Sequence, residues 1–181
     1  MCRVSTLPTD KSDARLDNME THLPSESFAA SAQHGQAVEV HSLALLEEIA
    51  TDARKVFEHI LTSAFGRAET RGACMYASIL LATLLSKFAE APSHVCGGGP
   101  PMDGGLADPA GVLRGHYWVE GTTRSGEDFV ADITADQFGY PNVVVLPLAA
   151  AARYQRGDQA LINQHIEEER QAWKAEGLEL M

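Results

Sequence analysis

The feature that most constrains the fold is a long apolar run that begins at Cys74 and extends to about Glu90. Apolar side chains cover most of the circumference of a helix drawn on this run, and such a helix has to be surrounded by other elements. We therefore predict a buried central helix. Pro92 would end it, because proline cannot continue the helical hydrogen-bond ladder. Gly72 precedes the run, so a loop delivers the Cys74 thiol to the first helical turn.

Two further helices are predicted, one on each side of this run. From His41 to Phe65 the apolar residues recur at steps of three and four, with Ser42 as a suitable N-cap and Gly66 as a suitable stop. His59 lies in this segment, and we interpret it as a partly exposed helix residue rather than a ligand. A last, charge-rich helix is predicted from an N-cap at Asp158 to about Glu176.

The chain is long enough to bury a hydrophobic core, with 181 residues of which 45% are hydrophobic. Residues 1–37 are polar and lack apolar periodicity, which predicts a disordered or loosely attached leader. We predict that residues 38–181 form a single domain with a C-terminal helix.

The stretch between the central and the last helix has the pattern of strands. Asn142–Leu146 holds three consecutive valines, and its lack of alternation predicts a fully buried strand. Residues 97–111 are rich in Gly and Pro, which predicts a flexible loop without regular structure. The loop is either the rim of a functional site or a plain surface loop. Residues 148–154 predict a short helix. The other strands are predicted at Ser93–Cys96, Leu113–Gly121 and Asp128–Ala135.

Two of these strands form a predicted hairpin whose register decides which side chains meet. If Gly126 supplies the left-handed residue that closes a three-residue loop, Thr123 lies opposite Glu127. Side chains alternate along a strand, so this register puts His116, Trp118, Asp132 and Thr134 on one face, with Asp132 one diagonal step from His116. Glu120 shares that face, but four residues along a strand is about 13 Å, too far to orient His116.

Charge and cysteine content exclude several classes of function. A net charge of −11 argues against nucleic acid or an anionic membrane as the main partner, since both require a basic surface. The three cysteines, Cys2, Cys74 and Cys96, show no disulfide-framework spacing, and the N-terminal sequence has no signal pattern. We therefore expect a cytoplasmic protein, although export without a cleaved signal is left open. No apolar run of about 18 residues is present, so no membrane span is predicted.

Cys74, His116 and Asp132 together have the residue types of a nucleophilic triad. At a helix N-terminus, unpaired N–H groups and the helix dipole stabilise a thiolate. His116 would take the thiol proton, and Asp132 would orient its ring and offset its charge. The backbone N–H of Cys74 is a natural oxyanion donor. Gln137 is a weaker candidate for a second donor, and a structural role suits it better.

These motifs resemble the core of the transglutaminase-like superfamily, a branch of the papain-like cysteine enzymes. The resemblance spans about residues 70 to 136, and its specific parts are His116-x-Trp118-x-Glu120 and Asp132-x-Thr134. It implies an α+β fold, with the central helix packed on an antiparallel sheet and Cys74, His116 and Asp132 as the catalytic triad. We further predict that Trp118, Gly98 and Gly99 contact substrate. No cofactor is implied, and no calcium-loop spacing is present.

Several activities are compatible with this reading. Hydrolysis of a peptide, isopeptide or other amide bond in a protein or peptide substrate is the main prediction, and protein-glutamine transglutaminase or deamidase activity is the alternative. A non-catalytic binding module on the same fold belongs to a different class. Zinc binding by Cys74, Cys96, His94 and His116 is weakly supported, since no CxxC pair is present. The sequence leaves the substrate and the oligomeric state open.

Overall fold

The chain folds as a mixed α+β structure with antiparallel sheets, and the computed structural model describes residues 27–99 and 103–175, with side chains from residue 42 onward. None of the helices in these ranges is both long and apolar enough to cross a bilayer. The helices are α1 (Ser27–Phe65), α2 (Cys74–Phe88) and α3 (Gln159–Ala175). The strands are β1 (Ser93–Gly98), β2 (Gly105–Ala107), β3 (Leu113–Arg114), β4 (His116–Thr122), β5 (Asp128–Asp132), β6 (Val144–Pro147) and β7 (Tyr154–Gln155).

Helix α1 begins earlier than its apolar pattern predicts. It starts at Ser27, so Ser42 lies inside the helix and is not its N-cap. Four alanines between residues 27 and 41 favour helix even without an apolar face. The predicted boundary at residue 37 therefore does not coincide with a break in secondary structure, and residues 1–26 of the predicted leader lie outside the described residues. Gly66 does end the helix, with a φ of 66° and its N–H donating to the Thr62 carbonyl at 3.0 Å.

Helix α2 is the buried central helix that its composition predicts. It packs against α1, β1 and β4, and its buried residues are Met75, Ala77, Ser78, Ile79, Leu81, Ala82 and Leu85. Each large aliphatic side chain buried here contributes about 1.5–3 kcal/mol to stability. The last helix, α3, begins as predicted, because Oδ1 of Asp158 accepts hydrogen bonds from the Ala160 and Leu161 N–H groups at 2.9 and 3.2 Å.

The larger sheet has the strand order β1-β4-β5-β6, and all of its pairs are antiparallel. The predicted hairpin register is confirmed by the pairs Val119↔Ala131 and Glu120↔Val130. Gly126 has the left-handed φ of 90° that the loop requires, and the Thr123 N–H donates to the Glu127 carbonyl at 2.7 Å. The alternation of side chains on β4 and β5 is thereby fixed.

Strand β6 differs from its prediction in burial. The strand begins at Val144, and of its four residues only Val144 is fully buried. Because β6 is the edge strand of the sheet, its outer side lacks the neighbouring strand that buries β4 and β5. The prediction of a fully buried strand at Asn142–Leu146 was therefore wrong.

The glycine-rich stretch is more regular than its composition predicts. Gly97 and Gly98 continue β1, and Gly105 opens β2, so the prediction of an irregular loop across residues 97–111 was wrong. The glycines permit backbones to approach closely: a Cβ on Gly98 would lie 2.2 Å from the Asp103 carbonyl oxygen. Strand β2 forms a second sheet with the order β3-β2-β7. The short helix predicted at residues 148–154 is a 3-10 turn at Leu148–Ala150 followed by β7.

Two hydrophobic clusters cover opposite faces of the larger sheet. The first unites the three helices with Val119, Phe129 and Ala131. The second joins the opposite face to the smaller sheet and includes Cys96, Leu106, Trp118, Val130 and Tyr154. Because side chains alternate, His116 and Trp118 project to the same face of β4 as this second cluster.

Candidate active site

Cys74 is the first residue of α2, and its side chain is half-buried. The loop before it is held in place by Gln137, whose Nε2 donates to the Thr70 carbonyl at 2.8 Å and whose Oε1 accepts from the Gly72 N–H at 3.3 Å. Gly72 has a φ of 77°, which a glycine adopts without steric cost. Through these hydrogen bonds Gln137 holds the loop in place, which is the structural role that the sequence favoured over that of an oxyanion donor.

The N-terminus of α2 has N–H groups available for an anion. Its N-cap, Ala73, has no side-chain acceptor, and no side-chain hydrogen bond caps this end of the helix. The first turn of a helix contains N–H groups without intrahelical acceptors. The Cys74 N–H is one of these groups, next to the thiol in sequence.

His116 and Asp132 form a fully buried pair. His116 Nε2 and Asp132 Oδ2 are 2.8 Å apart, and both side chains have 0% exposure. Asp132 Oδ1 accepts hydrogen bonds from the Thr134 N–H at 2.8 Å and from its hydroxyl at 3.1 Å. The Tyr154 hydroxyl donates to Oδ2 at 3.1 Å. With both oxygens satisfied, the carboxylate is held in a single orientation towards the imidazole.

The other ring nitrogen of His116, Nδ1, differs from Nε2 in its hydrogen bonding. Nδ1 is buried and has no hydrogen-bond partner among the described residues. When Nε2–H donates to the Asp132 carboxylate, a neutral ring has its free lone pair at Nδ1. His116 can therefore accept a proton at Nδ1.

The electrostatic surroundings favour the charged imidazolium. Burial lowers the pKa of His116, but the charge and hydrogen bond of Asp132, and then the Cys74 thiolate, raise it to about 9. This effect requires the Cys74 sulfur to be close to the ring, although Nδ1 makes no hydrogen bond of normal geometry. Burial and the Cys74 thiolate also raise the pKa of Tyr117, the residue next to His116. The Cys74 thiolate therefore acts electrostatically on both His116 and Tyr117.

Aromatic rings enclose the imidazole. Phe138 meets it edge-on, with ring centroids 5.0 Å apart, and Trp118 stacks beside it at 6.5 Å. Trp118 is wholly buried, and its Nε1 donates to Glu120 Oε1 at 3.0 Å. The prediction that Trp118 contacts substrate therefore does not fit its position behind His116. Glu120 also accepts hydrogen bonds from Arg156, which agrees with its exclusion as the partner of His116.

Gly98 and Gly99 occupy structural positions rather than an open surface. Both are buried, and a Cβ on Gly99 would lie 2.8 Å from Gly115 Cα. Gly98 is paired with His116 across β1 and β4. Neither glycine lines the cleft at Cys74. Their absence of side chains lets the backbone segments around His116 approach each other, so the predicted contact of either glycine with substrate is not supported.

A cleft of about 790 Å³ opens at Cys74. Its walls come from four segments: the loop before α2, the loop between β2 and β3, the chain around the 3-10 helix Ala135–Phe138, and residues 114–115 at the end of β3. The second wall is formed by Asp108, Pro109 and Ala110, which belong to the predicted rim at 97–111. The third wall includes Phe138, which no pattern in the sequence identified. The thiol thus faces a space large enough for a peptide segment.

The potential metal ligands of the sequence do not come together in one site. Among the described residues, the ligand atoms of His94, Cys96 and Glu120 lie within 4.8 Å of one another, without Cys74 or His116. Glu120 already binds Arg156 and Trp118. Burial, and then the charge of Glu120, raises the pKa of the Cys96 thiol to about 12, so a metal ion at this position would have to displace the thiol proton. The positions of these residues do not favour the zinc site that was considered from the sequence.

The hairpin register places Asp132 against His116, as predicted, and the Cys74 thiol lies close enough to influence the imidazole. Trp118 and the two glycines surround this pair and are buried. Tyr154 is a member that sequence reasoning missed, since the two-residue strand β7 has no recognisable pattern. Comparisons of the chain with protein-family models, with curated proteins and with solved structures find no match.

Proposed function

We propose that this chain is a cysteine-dependent acyl-transfer enzyme that hydrolyses a peptide, isopeptide or other amide bond, with Cys74 as nucleophile, His116 as general base and Asp132 as the orienting acid. The main support is the buried His116–Asp132 pair, on whose imidazole the half-buried Cys74 thiol of an open cleft acts electrostatically. The exposure of Cys74 separates it from Cys96, which is wholly buried and does not line the cleft.

The first half of the proposed reaction acylates the enzyme. The proton of the thiol moves to His116 Nδ1, which gives a thiolate and an imidazolium. The thiolate attacks the substrate carbonyl carbon, and a C–S bond forms as the carbonyl oxygen becomes an oxyanion. When the tetrahedral intermediate collapses, the C–N bond breaks and the leaving amine takes the proton from Nδ1. The product is a thioester at Cys74.

The second half restores the enzyme. His116 is again neutral with a free lone pair at Nδ1, so it can take a proton from water that attacks the thioester. The C–S bond breaks, and the thiolate regains its pairing with the imidazolium. Hydrolysis rather than transfer to an amine is the outcome when water is the acceptor, and both outcomes share the same thioester.

The helix N-terminus supplies electrostatic support for the oxyanion. The Cys74 N–H lies in the first turn of α2, where no side-chain cap competes for the N–H groups. Removing one donor of this kind typically lowers kcat by about 100-fold or more.

The arrangement supports placing the chain in the transglutaminase-like group of papain-like enzymes. A central helix that presents cysteine at its N-terminus packs against an antiparallel sheet, whose neighbouring strands carry His116 and Asp132. Both nitrogens of His116 have assigned partners in this proposal: Nε2 bonds Asp132, and Nδ1 serves the thiol. A reducing compartment such as the cytoplasm would keep Cys74 as the free thiol that the mechanism requires.

The acyl-enzyme itself provides the test. The protein is mixed with p-nitrophenyl acetate and quenched, and the acetylated residue is located by peptide mass spectrometry. We expect acetylation of Cys74, none at that position in Cys74→Ala, and a much slower reaction in His116→Ala. Cys96→Ala is the matched control, because Cys96 is wholly buried and its loss should leave acetylation unchanged. A wild-type protein that is not acetylated at Cys74 would instead favour the binding-module alternative.

A further inference from the structure

The cleft at Cys74 differs in charge from the rest of the chain. The protein has a net charge of −11, yet two of the residues that line the cleft are arginines, Arg71 and Arg114. Its lining includes a single acidic residue, Asp108. The local balance of side-chain charge is therefore positive in a protein that is otherwise acidic.

The one carboxylate of the cleft is already engaged. Asp108 Oδ1 accepts hydrogen bonds from the Val112 and Ala110 N–H groups at 2.9 and 3.0 Å, and Oδ2 accepts from Arg114 Nε at 3.2 Å. The backbone hydrogen bond from Val112 and the pairing with Arg114 keep the pKa of Asp108 below its usual range. Asp108 thus holds its own loop together and neutralises the charge of Arg114. The cleft lining contains no further acidic side chain that could pair with Arg71.

Arg71 is the uncompensated charge. Its side chain is exposed, and it forms no ion pair with another described residue. It precedes Gly72, whose N–H is held by Gln137, so the backbone that carries the guanidinium is anchored beside the nucleophile. A guanidinium matches the planar geometry of a carboxylate and can bind it through two parallel hydrogen bonds.

We propose that Arg71 forms a subsite for a carboxylate of the acyl-donor substrate, so that the cleft selects an acidic peptide. This inference rests on the proposed function and specifies its substrate class. The carboxylate has two sources with the same chemistry: an Asp or Glu side chain near the scissile bond, or the C-terminal carboxylate of a short peptide. In either case the ion pair holds the substrate carbonyl near Cys74.

The charge preference can be measured without knowing the substrate. Iodoacetate and iodoacetamide attack the same sulfur, but only iodoacetate carries a carboxylate. The ratio of their second-order rate constants at Cys74, read by peptide mass spectrometry, isolates the effect of charge from any change in thiol reactivity. We expect Arg71→Gln to lower this ratio by about five-fold, and 1 M salt to reduce the difference, since the Debye length is then about 3 Å. Arg124→Gln is the matched control, because Arg124 pairs with Glu90 and does not line the cleft.

Three peptides then identify the source of the carboxylate. Acetyl-Ala-Glu-Ala-amide, acetyl-Ala-Gln-Ala with a free C-terminus and acetyl-Ala-Gln-Ala-amide are compared for protection of Cys74 against iodoacetamide. Better protection by the first assigns an acidic side chain, and better protection by the second assigns a terminal carboxylate; each gain should vanish in Arg71→Gln.

Two results overturn the inference while leaving the proposed function intact. One is a reactive Cys74 whose iodoacetate preference is the same in wild type and Arg71→Gln. The other is a failure of both anionic peptides to protect better than the neutral one. If Cys74 reacts with neither reagent, the proposed nucleophile fails, and the inference fails with it.

Discussion

Replacing Asp132 by Asn tests how the site holds its histidine. The carboxylate accepts hydrogen bonds from His116, from both donors of Thr134 and from the Tyr154 hydroxyl. Asn has one acceptor oxygen and one NH₂ donor in the same shape. The backbone N–H of Thr134 can only donate, so it requires the Asn oxygen at the Oδ1 position. The NH₂ group then faces His116 Nε2, which becomes an acceptor and moves the ring proton to Nδ1.

Burial lowers the pKa of His116 and the Asp132 carboxylate raises it, so the substitution removes the main group that raises this pKa. In the wild type this pKa is about 9, against an ordinary value of 6.5, a difference worth about 3 kcal/mol. Without the carboxylate, burial is the largest remaining influence and lowers the pKa of His116, so a smaller fraction of the imidazole is charged at pH 7 than in the wild type. The neutral ring that remains carries its proton at the nitrogen that should accept from Cys74.

We therefore expect Asp132→Asn to lower the rate of thioester formation at Cys74 by up to about 10⁴-fold, as the wrong histidine tautomer does in serine proteases. The assay is the rate of acetylation by p-nitrophenyl acetate at pH 6 to 10, with denaturant unfolding as a control for folding. A loss of less than ten-fold with an unchanged pH profile would show that Asp132 acts only in packing, and would refute this reasoning.

Three further predictions concern the surroundings of the triad. The raised pKa of His116 stabilises the folded protein fully below pH 6.5, and this stabilisation is lost as the pH rises through about 9. The denaturation midpoint of the wild type should therefore fall between pH 6.5 and about 9. The midpoint of His116→Gln should not fall over the same pH range. Arg54→Met should lower the free energy of unfolding by about 2 kcal/mol, because it leaves the buried Ile133 carbonyl and the partly exposed Asp136 carboxylate without their Arg54 hydrogen bonds; an effect below about 1 kcal/mol would contradict this. Gly98→Ala should destabilise by about 1–3 kcal/mol, as its Cβ meets backbone at 2.2 Å, while Gly126→Ala has open space and should lose about 1 kcal/mol through its positive φ alone.

The core of the site could be predicted from sequence because its geometry follows from short-range rules. The position of Gly126 fixes the hairpin loop, the loop fixes the register, and alternation then brings Asp132 to His116. The run after Cys74 is apolar on most of the helix circumference, so the helix that it forms has to be buried. Each step depends on a few neighbouring residues, so no tertiary information was required.

The remaining features depend on contacts between distant segments. Gly97 and Gly98 have the composition of a loop, but they lie in a strand because they pair with Tyr117 and His116 of β4. A side chain on Gly98 would collide with the backbone of residues 103–105. Tyr154 reaches Asp132 from a two-residue strand that only the second sheet defines. Trp118 has the right motif spacing for a substrate contact, yet its burial depends on the cluster that Tyr154 and Leu106 complete.

The most direct test of the central claim is the pH dependence of iodoacetamide labelling at Cys74 in wild type and in His116→Ala. If His116 holds a proton beside the thiolate, wild-type Cys74 should label rapidly at pH 6 to 7, and His116→Ala should slow labelling there by at least about ten-fold while the two proteins converge at alkaline pH. Equal labelling of the two proteins at every pH would show that no ion pair forms, and would contradict the proposed role of Cys74 as an activated nucleophile.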